Sequence, residues 1–289
     1  MIPSSELIIN ADGSIFHLHL KPEQIADNII LVGDPGRVEL IGQLLTDIEF
    51  QVHNREFVST TGKYNNQRIT IVSTGIGTDN IDIVVNELDA LANIDLVSRE
   101  INPVHRTLNL IRIGTSGGLQ DDLPLNSFVI SRKAIGFDGL LNFYARRDEV
   151  SDLPFEQAFR QYTAWGKQLT SPYVVDCSEL LFSKVHQGNT ISGVTISAPG
   201  FYGPQGRVLR LPLAHPHLNE KIESFSFGGQ KITNFEMECS AIYGLSKLLG
   251  HEALTVCLII ANRVKKEANG NYYESMETLI KFVLERITS

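Results

Sequence analysis

Asn234-Phe235-Glu236-Met237-Glu238-Cys239-Ser240-Ala241 is a junction where an apolar strand pattern gives way to an apolar helix pattern. Asn234 to Met237 reads as a short strand and Ser240 to Leu249 as a helix, with Gly250 as its stop. Two carboxylates flank one thioether at the turn. Burying an unpaired carboxylate is costly, so stability alone is a poor reason to place charge there. A carboxylate beside an apolar contact suits a sugar: one accepts hydroxyl protons, the other covers a ring face. The alternative is a helix start whose acidic residues favour the macrodipole.

The same punctuation recurs outward from this junction. Ile29 to Val32 reads as a buried strand that stops at Gly33-Asp34-Pro35-Gly36-Arg37, and a helical pattern runs on to about Leu45. Asp34 suits an N-cap and Pro35 a first helical residue. Arg68 to Ser73 is a strand broken by Thr74-Gly75-Ile76-Gly77, and Asn80 to Ala92 has helical spacing at Ile81, Val84, Val85, Leu88 and Leu91. Leu108 to Ile113 is a strand ending in Gly114-Thr115-Ser116-Gly117-Gly118. Phe128 to Ile135, Thr190 to Ser197 and Leu254 to Ala261 are further strands; Phe155 to Leu169 and Met276 to Ile287 are helices. Val97 to Thr107 is polar and irregular, a surface excursion. Strands alternating with helices predict an α/β layer fold with a largely parallel sheet. No linker or repeat divides the chain, so residues 1–289 are read as a single domain.

Composition narrows the function. The 289 residues are 43% hydrophobic and 20% charged, as in ordinary globular chains. The net charge of −8 gives no basic stripe for nucleic acid, so an anionic small substrate would need local arginines. Cys177, Cys239 and Cys257 are far apart, form no CxxC pair and signal neither zinc nor redox chemistry. An odd count fits a reducing cytoplasm. Met1 to Asp12 lacks the pattern of an export signal, and no apolar run approaches the ~20 residues of a bilayer span.

Ligands of open α/β sheets sit beyond the carboxyl ends of strands. The loops there are Gly33–Arg37, Thr74–Asn80, Gly114–Gly118 and the turn after Ala261. Glycine lets backbone N–H groups approach an anion, and a helix start adds a favourable dipole. Arg37 and Arg112 add guanidiniums, which match phosphate oxygens in bidentate fashion. Neither GxxxxGK[ST] nor GxGxxG occurs, which disfavours nucleoside triphosphates and NAD. Arg112 lies in the apolar run Leu110-Ile111-Arg112-Ile113, so it needs a partner. That partner is either a bound anion or an internal carboxylate such as Glu238. In Phe201-Tyr202-Gly203-Pro204-Gln205-Gly206-Arg207, Phe201 can stack on a flat ring. Gln205 donates and accepts, and Arg207 donates. One Gln plus one Arg satisfies the uracil edge of two carbonyls around an N–H; a solvated turn would have similar composition.

In order along the chain, FHL (16–18), VGDPGR (32–37), NREF (54–57), STGIG (73–77), RIGTSG (112–117), FYGPQGR (201–207), NFEMEC (234–239) and ANR (261–263) resemble the nucleoside phosphorylase family. The resemblance implies a single-domain α/β fold with a mixed central β-sheet flanked by helices, and a hexamer built as a trimer of dimers. It implies that Gly33, Arg37, Arg112 and Thr115 hold phosphate, with Arg55 contributed by a neighbouring subunit. His17, also from the neighbour, would bind the ribose 5′-hydroxyl, and Glu236, Met237 and Glu238 would hold the ribose. Phe201, Gln205 and Arg207 would frame the base, Ile260 and Ala261 would line its apolar side, and Arg263 would support it. The family's small cation, often potassium, would use Glu56, the Ile76 carbonyl and a third position that is Asn80 here, where an amide oxygen could ligate. The Val97–Thr107 segment is longer than in the compact bacterial members, and the GPQGR loop is intermediate between variants.

The implied reaction is reversible phosphorolysis of uridine to uracil and ribose 1-phosphate, without a cofactor and with phosphate as co-substrate. Arg112, Glu238 and Arg207 would carry catalysis. Purine members usually place an Asp after the last pocket strand, where this chain has Asn262-Arg263. The rivals are a purine or broad-specificity nucleoside phosphorylase, a nucleosidase using water, and a non-catalytic nucleoside-binding protein.

Overall fold

The computed structural model describes residues 1–188 and 190–289. In chain order it contains β1 (Asn28–Val32), α1 (Pro35–Gly42), β2 (Thr46–Asn54), β3 (Phe57–Tyr64), β4 (Gln67–Ser73), α2 (Thr78–Asn93), β5 (Ile94–Asp95), β6 (Glu100–Ile101), β7 (Asn109–Gly118) and β8 (Phe128–Gly136). There follow α3 (Arg147–Val150), α4 (Leu153–Thr163), β9 (Tyr173–Asp176), α5 (Glu179–Val185), β10 (Ile191–Ser197), α6 (Leu218–Ser224), β11 (Ser226–Phe227), β12 (Gln230–Glu236), α7 (Cys239–Leu249), β13 (Glu252–Asn262), β14 (Glu267–Ala268) and α8 (Tyr273–Ile287).

The main sheet runs β11-β12-β10-β8-β13-β7-β1-β4-β3-β2. It is mixed: β7 is parallel to β1 and β13, and β8 and β12 are parallel to β10. β13 is antiparallel to β8, as β3 is to β2 and β4. A further antiparallel pairing joins Asn234 and Phe235 of β12 to Gly118 and Gly117 of β7. It closes β7, β13, β8, β10 and β12 into a five-strand circuit. The carboxyl ends of β7, β10, β12 and β13 therefore meet around one space.

Burial explains most elements. β1 is an apolar run covered on both faces, as parallel strands are. Asp34 caps α1 by accepting from the Gly36 N–H at 2.9 Å. α2 buries Ile81, Val84, Val85, Leu88 and Leu91 along one stripe. α7 is buried from Cys239 to Ser246, packed between α2 and the sheet.

Three sequence expectations change. The glycine run Gly114–Gly118 is not a loop: β7 continues through Gly118, paired with β13 as far as Asn262 with a one-residue bulge at Ile260. The helix at Phe155–Leu169 begins at Leu153 and stops at Thr163, where Ala164 adopts a left-handed conformation. β2 and β3 fill Thr46–Tyr64 as an antiparallel hairpin on the sheet edge. That edge, with the antiparallel β8–β13 and β7–β12 pairings, makes the sheet mixed, as the family resemblance implied.

Val97–Thr107 is not merely an excursion. β5 and β6 form a small hairpin, and Arg99 in its turn donates to the backbone carbonyls of Ile2 (2.9 Å), Pro3 (3.3 Å) and Leu7. The Ile2 N–H donates back to the Arg99 carbonyl at 2.8 Å. The hairpin thus fastens the N-terminal segment that leads to Phe16 and His17. Arg99→Ala is expected to lower stability by about 1–3 kcal/mol. It should also raise amide exchange across residues 2–7 and leave β7 protected; hydrogen-exchange mass spectrometry checks both.

Candidate active site

The space at the strand ends is a cavity of about 700 Å³. It runs along β7 from Arg112 through Thr115 to Gly117. Five residue steps of strand separate its ends, roughly 16 Å. At the first end, Gly33 enters from the β1–α1 turn, Arg37 from the first turn of α1 and Arg112 from β7. Arg37 donates to the Ile113 carbonyl at 3.3 Å. Burial and the neighbouring Arg112 both lower the Arg37 pKa from its ordinary value. Two guanidiniums facing one wall make that wall selective for anions.

Arg112 is buried. Its Nη2 meets a Glu238 oxygen, and its Nη1 lies 3.4 Å from Glu236 Oε2 and 3.7 Å from Cys257 Sγ. Burial opposes its charge, but Glu238 and Glu236 outweigh that and hold it protonated above the ordinary arginine range. The internal pair with Glu238 is therefore present. The guanidinium folds back over its own strand: a Cβ on Gly114 would lie 1.9 Å from Nη1. The glycine two residues after the arginine exists to let it lie there.

Both carboxylates of the opening stretch are fixed. Glu236 accepts from the Glu238 N–H at 2.9 Å, the Cys239 N–H at 2.9 Å and Ser197 Oγ at 2.5 Å. The helix-start alternative describes this residue well. Burial, then the charge of Glu238, pushes its pKa up to about 7 against the pull of Arg112. Glu238 reaches the other way and accepts from the Gly77 N–H at 2.8 Å, at the start of α2. Met237 lies between them on the cavity wall.

At the far end the loop Phe201–Arg207 folds on itself. Arg207 stacks 3.7 Å over the Phe201 ring and donates to the Phe201 carbonyl at 2.6 Å and to Gln205 Oε1. Burial and the facing Arg263 lower its pKa to about 10. Ile260 and Ala261 complete the apolar wall. Arg263 lies behind Gly117, its Cδ 3.7 Å from where a Cβ would sit. Asn262 points away from this space and is saturated. It donates to the carbonyls of Gln120 and Leu123 and accepts from the N–H groups of Val264 and Lys265, at 2.8–3.0 Å.

His17 and Arg55 do not line this cavity. They sit together beside it: Arg55 lies 5.8 Å over Phe16, and Glu87 accepts from His17 Nδ1 at 2.6 Å. Glu56, Ile76 and Asn80 line the cavity around Gly75. A Cβ there would lie 2.3 Å from Asn80 Nδ2 and 3.2 Å from Glu56 Cγ, so only glycine leaves room between them. Ser116 and Phe235 also line the space, as does Asp34, which the sequence marked only as a helix cap. Asp89, His105 and His251 offer donor atoms within 4.8 Å of one another. His251 Nδ1, however, accepts from the Leu108 N–H at 3.2 Å, so Nε2 carries the proton shared with Asp89 at 3.1 Å. No lone pair on that ring remains for a metal.

The family model for the phosphorylase superfamily matches residues 27–288. The chain belongs to this superfamily. Among superfamily members, a uridine phosphorylase of Thermococcus kodakarensis is 29% identical over 272 residues, 91% of this chain and 83% of that protein. A uridine phosphorylase of Haemophilus influenzae is 29% identical over 88% of each chain. Purine nucleoside phosphorylases of the DeoD type, such as that of Listeria welshimeri, match at 25% identity over 84% of this chain and 85% of theirs. A nucleoside phosphorylase of Trypanosoma brucei, described as showing uridine phosphorylase activity, superposes with a TM-score of 0.85 at 28% identity. It covers 98% of this chain and 100% of its own. The single-domain α/β fold with a mixed sheet is the one these relatives share, and the nucleoside phosphorylases among them are phosphate-dependent pentosyltransferases. Among the described residues no helix is long and apolar enough to cross a membrane.

The raised pKa of Glu236 links stability to pH. Its ordinary value is 4.5 and its folded value about 7, so between those two the folded chain binds the extra proton. The stabilisation is full below pH 4.5 and is lost as pH rises through 7. Glu236→Gln should flatten this part of the melting-temperature profile between pH 4.5 and 8; an unchanged profile would assign the dependence elsewhere.

Proposed function

We propose that the chain is a uridine phosphorylase, converting uridine and phosphate reversibly to uracil and ribose 1-phosphate. One observation carries the reading. A single cavity has paired guanidiniums, Arg37 and Arg112, at one end and the Phe201–Gln205–Arg207 loop at the other. Glu238 and Met237 lie between, where a ribose would span the two.

In this reading phosphate takes the Arg37–Arg112 end, with Thr115 and the Gly33 backbone as further donors. It sits beneath C1′ as nucleophile. Cleavage builds positive charge on the sugar, which the phosphate faces, and negative charge on the departing base. Glu238 accepts from the ribose 2′-hydroxyl, Met237 covers the ring, and Glu236 keeps both in place from the start of α7. Phe201 stacks on uracil while Gln205 and Arg207 meet its edge. Their donors face the charge that develops on the base, so the contacts strengthen toward the transition state. No side chain becomes covalently attached.

The DeoD-type matches favour a purine reading. Against it, Asn262 has no ionisable proton to give a purine N7, and its amide is already saturated by four hydrogen bonds. A nucleosidase would have no use for Arg37 beside Arg112. The proposal extends to a cytoplasmic enzyme of pyrimidine salvage and to a hexamer of paired subunits. Arg55 and His17 of each subunit would complete a neighbour's phosphate and ribose sites. Glu56, Ile76 and Asn80 are proposed to hold a potassium ion near that contact.

Uridine should release base far faster than inosine, and only with phosphate; equal rates on the two nucleosides exclude the pyrimidine assignment. Arg207→Ala should lower the rate on uridine about ten-fold or more, on the scale of a lost buried polar contact. Arg112→Ala and Arg55→Ala should each be inactive alone. When the two are mixed under conditions where subunits exchange, activity should return in part, because a hybrid pair regains one intact site.

A further inference from the structure

Besides the Arg207 side-chain contacts, the loop that would frame the base is closed by backbone turn hydrogen bonds, and its outer side is held by another element. The Arg207 N–H donates to the Tyr202 carbonyl at 2.8 Å and the Gly206 N–H to that of Gly203 at 2.9 Å. Gly206 turns the chain with φ +71°. The Gln205 carbonyl faces out of this turn, on a residue that is buried. It is met by Asn219, whose Nδ2 donates to it at 3.0 Å. The same amide fills the space beside Gly206: a Cβ there would lie 2.3 Å from Nδ2.

Asn219 lies on α6, which is tied to two other parts of the fold, α4 and the end of β7. Lys221 donates to the Thr163 carbonyl at the end of α4 at 3.0 Å. Tyr162 donates to Ser224 Oγ at 3.2 Å. Gln120, just beyond β7, donates to the Glu223 carbonyl at 3.1 Å, and its own carbonyl receives Asn262 of β13. α6 is therefore referenced to the strands that form the cavity wall. Glu223, one turn after Asn219, shares its face of the helix, and its charge acts on Arg263.

We propose that Asn219 is a positioning residue for base recognition, fixing the turn that presents Gln205 and Arg207 to the uracil edge. This rests on the uridine reading. Nothing in α6 takes part in the Arg37–Arg112 end, which is built on α1, β7 and α7. Loss of the Asn219 contact should weaken the base side and leave phosphate binding as it is.

The test uses Asn219→Ala and Asn219→Asp in the full chain, with melting curves to confirm folding. N219D keeps the volume, so it carries the comparison should N219A not fold. For N219A, kcat/KM for uridine should fall about ten-fold, on the scale of one lost contact to a buried carbonyl. N219D should fall further, because a carboxylate then faces the Gln205 carbonyl. Binding of free uracil, measured by calorimetry, should weaken in step. The KM for phosphate and the melting shift caused by phosphate should match the parent. Variants within roughly two-fold of the parent on uridine, or a parallel loss on the phosphate side, overturn the inference while leaving the uridine reading standing. A parent that releases no base from uridine overturns that reading and this inference with it.

Discussion

The carboxylate of Glu238 is the contact on which the site depends. One oxygen meets Arg112 on β7 and the other accepts the Gly77 N–H at the head of α2. Three elements from separate parts of the chain, β7, α2 and the β12–α7 junction, are thereby held at one point. Breaking a buried pair by removing one partner typically costs about 3–5 kcal/mol, because the other charge is left stranded. The site and the fold therefore share this ion pair.

Charge is arranged the same way at both ends of the cavity. Arg37 faces Arg112, and Arg207 faces Arg263; in each pair one member depresses the pKa of the other. Carboxylates stand behind each pair: Glu236 and Glu238 behind Arg112, Glu223 behind Arg263. The carboxylates secure the fold, while like charges in front keep each end receptive to an anion. Phosphate and a departing base anion are the two anions of the proposed reaction.

Periodicity made α2 legible, and capping chemistry made the start of α1 legible, because both are local. The cavity residues were legible wherever chemistry conflicted with environment, as with an arginine in an apolar strand or two carboxylates at a helix start. β2 was overlooked although Ile48, Phe50 and Val52 alternate with Glu49, Gln51 and His53, the pattern of a half-exposed edge strand. The extent of β7 was hidden because glycines that usually break a strand here admit the side chains of Arg112, Arg207 and Arg263. Asn219 gave no signal at all. Its role comes from a carbonyl fourteen residues away, and one asparagine on a short polar helix resembles any other.

The five-strand circuit imposes an order on synthesis. β13 lies between β7 and β8, both of which leave the ribosome well before it. Until Asn262 is made, the two apolar flanks that β13 will cover stay open, and β12 can reach Gly117 without closing the ring. At ordinary elongation of about 5–20 residues per second, the nascent chain carries this unpaired seam for several seconds or more. Non-local pairing of this kind folds slowly. Demand on cellular chaperones should thus concentrate between completion of β8 and completion of β13, largely within the second half of translation.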